Sequence, residues 1–158
     1  MISQYAATNK DIAHAVVEHD PQWIDFFCKG FELPLNTDIV QLPWGYVTYN
    51  EALNVRVYDG FADRFADNSY DFICVDGPLG GDMPQFARID ILGLIPQHLE
   101  KSFVIILDDY NRAAEKNTAR EITRKLDEAG IAYSQGQYQG EKSTLIICSA
   151  DKKFLCSL

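Results

Sequence analysis

Tyr70-Asp71-Phe72-Ile73-Cys74-Val75-Asp76-Gly77-Pro78-Leu79-Gly80-Gly81 is the stretch whose reading decides the fold. Phe72 to Val75 is a short unbroken apolar run closed by Asp76-Gly77-Pro78, the pattern of a strand buried on both faces and stopped by turn residues. Asp76 then stands at the carboxyl end of a strand, where open α/β sheets bind their ligands. That position makes it a functional candidate. Equally, an Asp there can serve only to shape the turn, by bonding a nearby backbone N–H.

Working outward, Phe103 to Leu107 is the strongest β run in the chain and is closed by Asp108-Asp109. Further strands are expected at Ala13 to Val17, Thr37 to Leu42 (stopped by Pro43-Trp44-Gly45), Asn54 to Tyr58, Ile131 to Gln135 and Leu145 to Cys148. Between them the pattern turns helical. Ser3 to Ile12 suits a helix ending near Asn9-Lys10. Asp20 is placed to cap a helix that starts at Pro21, ends near Gly30 and carries Trp23, Ile24, Phe26 and Phe27 toward a core. Phe61 to Asn68 suits a short helical turn. Met83 to Ile95 shows apolar residues at helical spacing, although Gly93 and Pro96 weaken its end. Asn117 to Ala129 is a charged amphipathic helix with Gly130 as its C-cap. Strands alternating with helices in one chain of 158 residues, with no linker or repeat, predict a single α/β domain over residues 1–158: a mainly parallel, Rossmann-like sheet with helices on both faces.

Composition narrows the function. A hydrophobic fraction of 47% and a charged fraction of 23% are ordinary for a globular protein. A formal net charge of −9 opposes a long phosphate-tracking surface, so no nucleic-acid partner is expected. The cysteines Cys28, Cys74, Cys148 and Cys156 form no C-x-x-C pair, and two lie in apolar runs; reduced thiols and a cytoplasmic protein are expected. No segment approaches the ~20 apolar residues of a membrane span, so no membrane partner is expected. His14, His19 and His98 are too scattered for a zinc site, and no Ser-His-Asp or G-x-S-x-G pattern occurs.

Val17-Glu18-His19-Asp20-Pro21-Gln22-Trp23, Tyr70 to Pro78, and Val104-Ile105-Ile106-Leu107-Asp108-Asp109 together resemble the class I S-adenosylmethionine-dependent methyltransferases, over nearly the whole chain. The resemblance implies that Glu18, ending the second strand of that fold, grips the ribose hydroxyls of the cofactor. A carboxylate is suited to that because it is acceptor-only and can take both hydroxyl protons; a solvated strand end is the plain alternative. It places Asp76 at the end of the fourth strand, near the methionine part of the cofactor and the acceptor, and Asp108 and Asp109 at the end of the fifth. In metal-dependent O-methyltransferases of this fold, groups at these two strand ends bind a magnesium-like ion. Three carboxylates would make such a hard-oxygen site here, although Asp109 replaces an asparagine often found there. Otherwise Asp109 acts as a general base toward the acceptor, or Asp108 merely caps the next segment of the chain. The expected catalytic residues are therefore Asp76 and Asp109, and the expected cofactor contacts Glu18 and Asp76.

The main departure concerns the glycine-rich loop after the first strand of the family. No Glu-x-Gly-x-Gly precedes Glu18, and Gly77, Gly80 and Gly81 come after the wrong strand to replace it. Two functions are the resulting expectations. One is a methyltransferase acting on a small molecule, binding S-adenosylmethionine weakly or not at all, with a divalent metal as a further option. The other is a non-enzymatic binding or assembly module on the same fold. In that fold the first strand is central, between the second and the fourth. Without it, Ala13 to Val17 and Phe72 to Val75 would each lack a neighbour, and buried strands cannot leave N–H and C=O groups unpaired. Direct pairing, a strand from the N-terminal residues, or a strand from a second copy would close the gap; a homo-oligomer is expected.

Overall fold

The computed structural model describes residues 2–157, in two units that part between Trp44 and Gly45. In the first, α1 (Ile2–Thr8) leads to β1 (His14–Glu18), α2 (Pro21–Gly30) and β2 (Thr37–Gln41). β1 and β2 pair in parallel, with Val16 opposite Ile39. The side-chain amide of Asn36 reaches the carbonyls of Ala6, Asn9 and Ile12 at 3.0, 3.2 and 2.7 Å, tying the end of α1 to the start of β2. The Asp20 carboxylate accepts the N–H of Gln22 at 2.8 Å and Pro21 opens α2, as expected. The expected burial of its apolar face does not occur. Trp23, Phe26, Phe27 and Phe31 are 46–58% exposed and pack on one another, with Trp23 and Phe26 edge to face at 5.7 Å. Among the described residues up to Trp44, only Ala6 and Val40 are buried apolar side chains, because a unit this short cannot enclose a core.

The second unit opens with a hairpin, β3 (Trp44–Tyr49) and β4 (Ala52–Tyr58). Asn50 and Glu51 join the strands with φ of 45° and 69°, the two positive values that a tight primed hairpin turn requires. Pro43-Trp44-Gly45 thus ends β2 but also begins β3. After α3 (Phe61–Phe65) come β5 (Tyr70–Val75), a 3-10 helix (Ile89–Gly93), β6 (Leu99–Leu107), α4 (Ala113–Glu128), β7 (Tyr133–Gln139), β8 (Ser143–Ser149) and a second 3-10 segment (Ala150–Cys156). The expected helix over Met83 to Ile95 is replaced by a loop and the first 3-10 helix. Arg88 breaks it, with φ of +59° and a side chain drawn away by acidic partners on another element. α4 starts at Ala113, earlier than expected, and Gly130 lies just beyond its end at φ +66°.

The expected single, mainly parallel sheet is corrected to three small sheets. One holds β1 and β2, one β3 and β4, and the third runs in the order β5-β6-β8-β7. In the third, β5 and β6 are parallel while β6–β8 and β7–β8 are antiparallel. β7 and β8 are joined by a short turn at residues 140–142, and such a turn can only reverse the chain. Phe103, Ile105, Leu107 and Ile147 of this sheet meet Ile122 and Leu126 of α4, Ile91 of the 3-10 helix and Ile95 just after it, all at 2% exposure or less, to form the core. β5 is the end strand of the order, and Phe72 on it is 40% exposed. Ile2 to Thr8 forms a helix, so these residues supply no strand to any of the three sheets. Among the described residues, no helix is long and apolar enough to cross a membrane.

Candidate functional site

β5 and β6 run in parallel and end side by side, so their last residues deliver Asp76, Asp108 and Asp109 to one place. The N–H of Asp108 donates to the Val75 carbonyl at 3.1 Å, which carries the pairing one step past β6. One oxygen from each carboxylate lies within 4.8 Å of the others. Of the sequence candidates, Asp76 and Asp109 therefore come together; Glu18 lies in the first unit, at the end of β1.

The three carboxylates sit in unlike surroundings. Asp109 is 3% exposed and takes a left-handed φ of +56°. Its Oδ2 receives Arg88 at 2.8 Å and Arg112 at 2.9 Å, and its Oδ1 lies 3.2 Å from the Lys142 ammonium. Burial pulls its pKa upward, but hydrogen bonds from Arg88 and Lys142 outweigh this and hold it below the ordinary carboxylate value. Asp108 accepts the Thr144 hydroxyl at 3.2 Å and stands 3.6 Å from Lys142. The Asp76 side chain is 70% exposed and, among the described residues, has Arg88 as its ion-pair partner, at 3.4 Å. Desolvation at the strand end raises its pKa, against the pull of Arg88. Asp76 is thus the better proton acceptor of the pair, and Asp109 the fixed charge.

Behind the carboxylates lies a buried ionic layer that the sequence reading missed. Arg88, 3% exposed, also donates to the Asp108 carbonyl at 2.9 Å, and its Nε is 3.9 Å from Glu115, which has no exposed surface. Arg112 reaches Glu115 as well, at 3.4 Å. The Thr118 hydroxyl donates to the Ala87 carbonyl at 2.6 Å, locking the residue before Arg88 to α4. Gly80 makes room for this layer, since a Cβ there would fall 2.7 Å from both Ala87 and Glu115. One signal was readable: Glu115 lies on the same helical stripe as Ala119, Ile122 and Leu126, a charge where an apolar residue is expected. Arg88 offered none, because its partners Asp76, Asp108, Asp109 and Glu115 are all remote in sequence.

Glu18 is itself engaged. Its Oε1 accepts the N–H groups of His19 at 2.6 Å and Asp20 at 2.9 Å, and lies 2.7 Å from His19 Nδ1. The His19 ring stacks on Trp44 with centroids 3.9 Å apart. Among the described residues Oε2 has no hydrogen-bond partner, so one oxygen remains for a ligand hydroxyl.

A similar fold occurs in a protein of known structure. This chain has the fold of the class I S-adenosylmethionine-dependent methyltransferases. It superposes on a crystal structure from Staphylococcus aureus, described as a "putative caffeoyl-CoA O-methyltransferase", with a TM-score of 0.52 and 14% identity, covering 93% of this chain and 69% of that one. No family model and no curated protein matches the sequence.

Proposed function

We propose that the chain is an S-adenosylmethionine-dependent methyltransferase acting on a small-molecule hydroxyl. The observation that carries this reading is the convergence of Asp76, Asp108 and Asp109 at the ends of β5 and β6. Glu18 is the proposed cofactor contact in the first unit and Asp76 that in the second, and Asp76, the more exposed and more basic carboxylate, is the proposed acceptor of the hydroxyl proton. Asp109 holds negative charge beside it. The donor set is all oxygen, which suits a divalent cation of the magnesium kind. Asp76, Asp108 and Oδ1 of Asp109 would hold it in place of the Lys142 ammonium, which is 59% exposed and able to withdraw. Such an ion, when bound, lowers the pKa of a hydroxyl that touches it.

The proposed affinity for S-adenosylmethionine is weak. Within residues 1–158 no glycine-rich cradle of the family's kind precedes Glu18, so for these residues by themselves several hydrogen bonds, at ~1 kcal/mol each, are forgone and a micromolar ligand moves toward millimolar. Titration followed by NMR tests this, with and without magnesium ion. A millimolar Kd that weakens in Glu18→Ala is expected, and Lys142→Met should tighten the magnesium response. Micromolar binding would overturn the weak-affinity claim. No binding at all would favour a second reading, a non-enzymatic module on the methyltransferase fold, to which the saturation of Asp109 by three cations already lends weight.

A further inference from the structure

Cys148 and Cys156 differ in burial yet lie close in space. Cys148 is on β8 and fully enclosed, and Cys156 is the last residue of the 3-10 segment after that strand. Their Sγ atoms are 3.5 Å apart. The return of the chain that brings them together is built into β7. At Gly136 a Cβ would stand 2.8 Å from the Cα of Cys156 and 3.0 Å from its Cβ, so glycine is what lets the segment settle against the strand. The Tyr138 hydroxyl donates to the Leu155 carbonyl, and the Cys148 thiol to the Lys152 carbonyl at 3.4 Å, fixing the segment at both ends. The two thiols are unequal in access. Cys156 lines an open groove of about 580 Å³ with Ser134, Gln135, Lys153, Phe154 and Ser157, whereas Cys148 is buried and does not line it.

We propose that Cys148 and Cys156 form a reversible disulfide under a hydroperoxide such as hydrogen peroxide, stapling the segment Ala150–Cys156 to β8. This does not depend on methyl transfer. The Cys156 thiol gives up its proton, the thiolate attacks one peroxide oxygen, the O–O bond breaks, and a sulfenic acid and hydroxide result, the hydroxide taking up the released proton to become water. The Cys148 thiolate then attacks the sulfenic sulfur, the S–S bond forms, and hydroxide leaves and is protonated to water. Two thiols lose two electrons and one peroxide gains them. Closing to an S–S distance of ~2.05 Å needs roughly 1.5 Å of approach, within reach of side-chain rotation at Cys156. Burial and the neighbouring thiol push the Cys148 pKa up to about 11, so the second step quickens as pH rises.

The test uses the reduced full chain, treated with hydrogen peroxide, alkylated with N-ethylmaleimide in denaturant and weighed intact. Maleimide is expected on Cys28 and Cys74 only, with a tryptic fragment linking Cys148 to Cys156 that dithiothreitol separates. The double variant Cys28→Ser, Cys74→Ser should keep that link, and Cys156→Ser should lose it. Tryptic cutting after Lys152 and Lys153 should slow about tenfold on oxidation and recover on reduction, as a stapled segment opens less often. Maleimide on all four cysteines, Cys156 carried to sulfinic acid with Cys148 still alkylated, or cutting unchanged by the bond would each overturn the proposal.

Discussion

Arg88 stands between Ala87 and Ile89, both buried, and its own guanidinium is shut off from water, so its charge depends on Asp109, Glu115 and the Asp108 carbonyl. Removing one partner of a buried ion group leaves the others uncompensated, and Arg88→Met should cost about 3–5 kcal/mol of unfolding free energy. Urea titration measures this, and a loss below ~1 kcal/mol would show that Arg112 and Lys142 suffice for Asp109. Asp90 presents the reverse case. Its Oδ1 accepts the Tyr58 N–H at 2.7 Å, but among the described residues its buried Oδ2 has no hydrogen-bond partner, and desolvation raises its pKa to about 6. For an acid whose pKa is raised on folding, the native state binds the proton more tightly. Stability is therefore lost as pH rises from about 4 through about 6. Asp90→Asn keeps the acceptor for Tyr58 and removes the charge, so it should stabilise the protein by about 2 kcal/mol at pH 8 and hardly at pH 4. An equal effect at both values, read from thermal melts, would mean that Asp90 does not titrate in this range.

Among the elements, those governed by neighbours in sequence were legible. Asp20-Pro21 specified the start of α2, and the apolar runs of β5 and β6 with their acidic ends specified both strands and the carboxylates they present. Those governed by distant partners were not. The segment from Met83 carries helical spacing, but Arg88 turns away toward β6 and α4, and no local pattern reports this. β3 hid behind Pro43-Trp44-Gly45, which reads as a stop, because its confirming feature is a turn at Asn50-Glu51 with neither residue a glycine. β5 raises the question of self-association at this scale. It pairs with β6 on one side and ends the sheet on the other, with Phe72 and Cys74 exposed, the kind of apolar edge that recruits another strand. Light scattering across a dilution series should therefore show a dimer or larger species, and a monomer at every concentration would exclude pairing between copies along this edge.

At the scale of the whole molecule, the alternation of strands and helices pointed to the right fold while concealing the division into separate sheets, since periodicity reports which residues form strands and says little about which strands pair. The site was half legible for the same reason: its acids end strands, and its bases come from a loop, a cap and a turn. The hairpin of β3 and β4 also bears on time. Its strands are joined by Asn50 and Glu51 alone, whereas Phe72 must find Val104, and Val104 must find Cys148. Local hairpins close in about 1–10 μs, while pairings between residues far apart in sequence wait on the entropy of large loops. The refolding chain should thus protect amides of residues 44–58 from exchange before those of β5, β6 and β8. Pulse-labelled hydrogen exchange resolves the order, and simultaneous protection of both sets would place the hairpin inside the same cooperative event as the large sheet.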